Sequence, residues 1–196
     1  MMQAESLFPI FLKLQSRPVL VVGGGVVATG KVEKLVSAGA HVTVVAPKIC
    51  KAIMKLPVTI EKREFVESDL DGVWFVVAAA PPEVNQIVSV AGGARRVFVN
   101  AVDDPENASA YAASVISRGP IMLAISTSGL APALSALLRE ALDSMLPVDL
   151  EMWLEESVRE RSVWQEHGVP MEDRRERLLA RLNEIYQKRH SGREVR

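Results

Sequence analysis

The chain has 196 residues, the length of one ordinary domain or two small ones. Apolar residues make up 48% and charged residues 24%, a balance that excludes a disordered chain, a collagen-like fibre and a disulfide scaffold. A net charge of -1 offers no basic field for nucleic acid or an anionic membrane, so neither is expected as a partner.

Taken in chain order, residues 18–22 (PVLVV) form a short, nearly continuous apolar run that ends at three glycines, and residues 27–38 read as a helix. Residues 41–46 are a second strand closed by Pro47. Residues 58–64 alternate in part, in the manner of an edge strand. Residues 73–78 form a fourth strand, 84–91 a helix and 97–102 a fifth strand. Continuous apolar strands between helices predict a parallel sheet covered on both faces, an α/β doubly wound fold. After Asp104 the pattern changes. Residues 111–117 and 121–126 read as two strands joined by the turn signal Arg118-Gly119-Pro120, and 131–145 as an amphipathic helix. From Val148 the chain reads as helices with a break near Gly168-Val169-Pro170, and residues 190–196 as a frayed end. The division expected from these shifts is a dinucleotide-binding domain over 1–104, a dimerisation region over 105–147 and a helical domain over 148–196.

Cys50 stands alone and cannot form an internal disulfide, which fits a reducing cytoplasm. The longest apolar run, 73–80, is far below the ~18 residues that span a bilayer. No basic stretch precedes a long apolar run at the start, so no signal peptide is expected. The three histidines are scattered and no metal-ligand spacing exists, so no permanent metal site is expected.

Gly23-Gly24-Gly25-Val26-Val27-Ala28 fits G-x-G-x-x-A directly after a strand and at the opening of a helix. In that pattern the first glycine permits the turn, the second lets the backbone approach a pyrophosphate, and Ala28 allows close helix–strand packing. The free N–H groups of the helix start then face the phosphates. A tight turn alone also selects glycine, so a structural turn is the competing reading. The acidic residue that commonly follows the second strand is missing, because the chain reads Val44-Val45-Ala46-Pro47-Lys48 there. Lys48 faces either a 2′-phosphate or solvent, which leaves NAD against NADP open.

Asn100-Ala101-Val102-Asp103-Asp104 lies at the carboxyl end of the fifth strand, the edge where open α/β sheets bind ligands. Two adjacent carboxylates there suit a general base or, equally, a cap before Pro105. Ser126-Thr127-Ser128-Gly129 precedes a helix start, where hydroxyls serve an anion or an ordinary cap.

Together these motifs resemble the precorrin-2 dehydrogenase family, the amino-terminal module of siroheme synthases. The resemblance is carried by Phe8-Pro9-Ile10-Phe11-Leu12 and by Arg17-Pro18 through Gly25, with Val26-Val27-Ala28 and Lys31. Asn85, Asn100-Ala101-Val102-Asp103, Ser126-Thr127-Ser128-Gly129, Leu137-Leu138-Arg139-Glu140 and Leu146-Pro147 extend it. It covers about residues 6–150 closely and the helical tail loosely. It implies a Rossmann domain, a small dimerisation region and a helical carboxyl-terminal domain, assembled as a homodimer in the cytoplasm. The implied reaction removes hydrogen from precorrin-2 with NAD, giving sirohydrochlorin for siroheme, and some members also insert ferrous iron into this tetrapyrrole.

By similarity, Asp103 takes the position of the family's essential aspartate. Gly23, Gly24 and Gly25, the pair Val26 and Val27, and the pair Pro47 and Lys48 would contact the cofactor. Asn100, Ser126, Thr127 and Ser128 are candidate substrate contacts, with Arg118 and Arg139 as candidate partners for its carboxylates by position only. The chain departs from the family after the fourth strand, where Ala80-Pro81-Pro82-Glu83 replaces a Thr-Asp-Asp pattern. No methyltransferase module follows, so a stand-alone form is expected. The competing reading is a non-catalytic dinucleotide-sensing module, which would share the glycine loop without needing Asp103. A further alternative, another short-chain oxidoreductase, lacks its Tyr-x-x-x-Lys pair at Tyr111 and Tyr186.

Overall fold

A computed structural model describes residues 6–191. Its elements are β1 (Pro18–Val22), α1 (Val26–Ser37), β2 (His41–Val45), β3 (Thr59–Glu61), β4 (Phe75–Ala78), α2 (Pro82–Arg95) and β5 (Phe98–Ala101). They are followed by β6 (Ser114–Arg118), β7 (Ile121–Ile125), α3 (Pro132–Met145), α4 (Leu150–Glu166) and α5 (Met171–Ser191). Five strands pair in the order β3-β2-β1-β4-β5, every pair parallel.

The sheet is apolar through its middle because both faces are covered. Val19 and Val21 of β1 pack with Ala28, Val32 and Leu35 of α1, while Leu20 and Val22 join Val88 and Ala91 of α2. Alternate residues of one strand thus enter two cores, as the period of two requires. The expected parallel, doubly wound sheet is present, with β3 shorter than the expected 58–64 and at the sheet edge. Helix α2 runs longer than the expected 84–91. Pro82 supplies its first turn, and Arg96 in the left-handed region closes it.

The chain divides into two compact units. Among the described residues, one comprises the chain up to Ala113 together with Ser126–Pro132, and the other Ser114–Ile125 with the chain from Ala133 onward. This division differs from 1–104, 105–147 and 148–196, and hydrogen bonds give the reason. Ser109 and Ala110 both donate their N–H to Val99 O, and Val99 N–H donates to Ser109 Oγ at 2.8 Å. Residues 105–113 therefore finish the outer edge of β5.

In the second unit β6 and β7 form an antiparallel pair, and α4 packs with α5. The indole Nε1 of Trp153 donates to Tyr186 OH at 2.7 Å, and that hydroxyl donates to Asp149 Oδ1 at 2.7 Å. The two rings meet edge to face. Glu156, buried on α4, is bridged by Arg159 at 2.7 Å and Arg181 at 3.5 Å. Among the described residues no helix is long and apolar enough to cross a membrane. Tyr186→Phe withdraws the acceptor of Trp153 Nε1 and a donor to Asp149. It should destabilise this helix pair by about 1–3 kcal/mol. Urea unfolding followed by tryptophan fluorescence checks this, and an unchanged midpoint would refute the role of the network.

Candidate active site

The site begins where β1 ends. Gly23 has φ of +130, and a Cβ there would overlap the Ala79 carbonyl at the end of β4. A Cβ at Gly24 would overlap the Lys48 carbonyl of the loop after β2. The loop is therefore held between its two neighbouring strand ends, with Gly23 N–H donating to Val45 O and Cys50 N–H to Gly24 O, both at 2.9 Å. Gly25 differs, because a Cβ there meets nothing within 4 Å. It faces open space and caps α1 without a side-chain hydrogen bond. The first-turn N–H groups of α1 are left to a ligand or water, and the positive helix end adds to their pull on an anion. Val26 and Val27 are exposed beside them, at 85% and 55%. The cradle thus has open space and unpaired N–H groups of the kind that bind an anion.

Pro47 and Lys48 are exposed beyond β2, and Ala46 is buried with its N–H donating to Glu61 O. The sequence leaves Cys50 without a partner, and the structure corrects this. Its sulfur lies 3.2 Å from Thr29 Oγ1, and hydrogen bonds from the Thr29 hydroxyl and the backbone amide of Ile53 hold the Cys50 thiol below its usual range. Among the described residues no group of three or more His, Cys, Asp or Glu is placed to hold a metal ion.

At the end of β5 the two neighbouring aspartates separate. Asp103 is exposed and in the left-handed region, with φ of 56. Asp104 is partly buried, and both its oxygens accept Asn107 Nδ2 at 3.0 Å. Lys31 of α1 lies within electrostatic range of Asp103. Burial pushes its ammonium below the ordinary lysine range, Lys34 adds to this, and the Asp103 charge opposes it. Asn100 is 5% exposed, and its amide donates to Ala110 O at 2.9 Å, tying the segment after Asp104 to the sheet.

Ser126, Thr127 and Ser128 form a turn in the same compact unit. Ser126 Oγ accepts Ser128 N–H at 3.1 Å, and Thr127 Oγ1 accepts Ala131 N–H at 3.2 Å. Gly129 backs onto the ring of Tyr111, with Pro105 behind it. The turn is thus seated on the stretch that directly follows Asp104. Arg118 and Arg139 belong to the second unit, where they are ion-paired with Asp143 and Glu140. Two polar residues carry structure that no role in the sequence reading anticipated, Asn85 and Asn107. The available signal for Asn85 is its place on the apolar stripe of α2 with Val88 and Ala91, where an amide is costly unless bonded.

A parallel sheet in this strand order, with a glycine cradle at the crossover edge, defines an NAD(P)-binding Rossmann domain. The family model described as "Putative NAD(P)-binding" matches residues 10–114, and the chain belongs to that family. Siroheme synthase 3 of Aeromonas hydrophila is 46% identical over 147 residues, 72% of this chain and 31% of the relative. Siroheme synthase 2 of Klebsiella pneumoniae is likewise 46% identical over 147 residues, 72% of this chain and 32% of the relative. The chain thus spans about a third of the length of these relatives. Among solved structures, SirC, a precorrin-2 dehydrogenase, matches with a TM-score of 0.70 and 27% identity, covering 89% of this chain and 88% of that one.

Gly25→Asp should leave the fold intact, since its side chain enters open space, and abolish dinucleotide binding by filling the cradle with like charge. Calorimetric titration with NAD on a variant of unchanged thermal stability measures this. Wild-type affinity would show that the cradle is not the site.

Proposed function

We propose that the chain catalyses NAD-dependent dehydrogenation of precorrin-2 to sirohydrochlorin, in the cytoplasm, as a homodimer. The observation that carries this reading is the exposed Asp103 carboxylate, held by a left-handed turn at the same sheet edge as the Gly25 cradle. SirC, similar over nearly the full length of both chains, supports the choice of substrate.

The backbone at Gly23–Gly25 and the N–H groups of α1 bind the pyrophosphate, and Val26 and Val27 flank it. Pro47 and Lys48 lie toward the adenosine end, where no carboxylate selects the ribose hydroxyls. The bound NAD supplies a hydride acceptor. Dehydrogenation also releases a proton from the macrocycle. Asp103 accepts that proton, so one hydride and one proton leave precorrin-2 and its conjugation extends. Asp104, occupied by Asn107, is not available for this role. Ser126, Thr127 and Ser128 border the substrate side, with Asn100 holding the wall beneath them. Arg118 and Arg139, ion-paired with Asp143 and Glu140 in the second unit, are given no role at the substrate.

The dimer rests on α3. Leu134, Leu137, Leu138, Leu142 and Met145 are all exposed on this helix, between 38% and 78%, an apolar stripe of the kind that marks an interface. The pair β6–β7 is too small to be stable alone and leaves strand edges that favour pairing. Light scattering at micromolar concentration should give a dimer, and Leu137→Glu should give monomers. A monomeric wild type would refute this.

A positioned general base contributes about 10²–10⁴-fold. Asp103→Asn should lose turnover of precorrin-2 on that scale while NAD affinity is kept, and Asp104→Asn, which keeps the base but loosens the hydrogen bonds beside it, should lose about tenfold. Anaerobic assays of the two variants decide the matter. Equal losses, or near-normal turnover in Asp103→Asn, would show the assignment to be wrong. Ferrous iron added to the finished reaction asks whether iron is a second substrate, with a change in the product's absorption marking insertion.

A further inference from the structure

We propose that Asn85 is a positioning residue for Asp103, acting through Asp104. The proposal rests on the reading of Asp103 as the base. Asn85 sits in the first turn of α2 and is 2% exposed, one of the few buried polar side chains in the described core. Its Oδ1 accepts Ala80 N–H at 3.2 Å, and its Nδ2 reaches Asp104 Oδ2 at 3.5 Å. It thus ties the loop after β4 to the loop after β5, the two strand ends that flank the site. Asn107 grips the same Asp104 carboxylate from the other side.

The need for this clamp is conformational. A left-handed conformation costs a non-glycine residue about 1–2 kcal/mol, and Asp103 adopts it. Such a residue stays in place only when both of its neighbours are fixed. On one side Val102 N–H donates to Ala78 O at 2.9 Å. On the other, Asp104 is fixed by its side chain, through Asn107 and Asn85. The buried amide therefore decides where the Asp103 carboxylate points without touching substrate or cofactor. Asp104 is a carboxylate for the same reason, because it accepts from two amides and offers no proton in return.

Misplacing a reacting group by about 1 Å can cost on the order of 10²-fold. Asn85→Ala should lower kcat for precorrin-2 by about ten- to hundredfold while leaving NAD affinity near that of the wild type. In an Asp103→Asn background the same substitution should lower kcat no further, because the carboxylate it positions is gone. The exchanged pair, Asn85→Asp with Asp104→Asn, restores a donor facing a carboxylate and should recover most of the activity. Should Asn85→Ala not fold, Asn85→Asp alone keeps an acceptor for Ala80 N–H, sets a like charge against Asp104, and carries the same test. Wild-type kcat in the Asn85 variants, an undiminished further loss in the Asp103→Asn background, or no recovery in the exchanged pair would each overturn the proposal. Near-normal turnover in Asp103→Asn by itself would instead overturn the reading of the base.

Discussion

Space runs out at the carboxyl end of β1. The strand lies between β2 and β4, and its continuing backbone must pass the Ala79 carbonyl on one side and the Lys48 carbonyl on the other. No side chain fits at Gly23 or Gly24 in that gap. Because the gap is so narrow, the chain turns at once into α1, and the start of the helix stands at the sheet edge with its N–H groups uncapped. Gly25 is free of this crowding, and the space left by its missing side chain is where the proposed pyrophosphate would sit.

The same edge carries the second feature, a pair of acidic neighbours given opposite surroundings. In a regular extended strand, adjacent side chains would simply point to opposite faces. Here the left-handed turn at Asp103 separates them further, leaving one carboxylate exposed and the other among amide donors. In the proposed reaction, exposure and hydrogen bonding decide which carboxylate can take a proton. Lys31, half-buried on α1, sets a positive charge on the side of Asp103 that faces the cradle helix.

Most of the frame was legible in the sequence because strand and helix periods are local. The continuous apolar runs of β1, β2, β4 and β5 could be buried only on two faces, and the glycines fell at the one place a dinucleotide turn needs them. Asp103 was legible as one of two carboxylates, and its resemblance to a family position singled it out. What the residues alone did not separate was Asp103 from Asp104, because that distinction lies in a backbone angle and in Asn107, contacts that have no periodic signature. The first compact unit extends past Asp104 for a related reason. Residues 105–113 contain no regular strand, yet their hydrogen bonds to Val99 and Asn100 make them part of the first unit. Asn85 could have been noticed as an amide on an apolar stripe, but its partner was set by tertiary structure.

The central claim joins the cradle and the carboxylate in one reaction, and its most direct measurement is stoichiometric. The wild-type chain, mixed anaerobically with precorrin-2 and NAD, should form NADH and sirohydrochlorin together, one for one and at the same rate. Bound NAD left unreduced beside unchanged precorrin-2, or sirohydrochlorin appearing without NADH, would contradict the account.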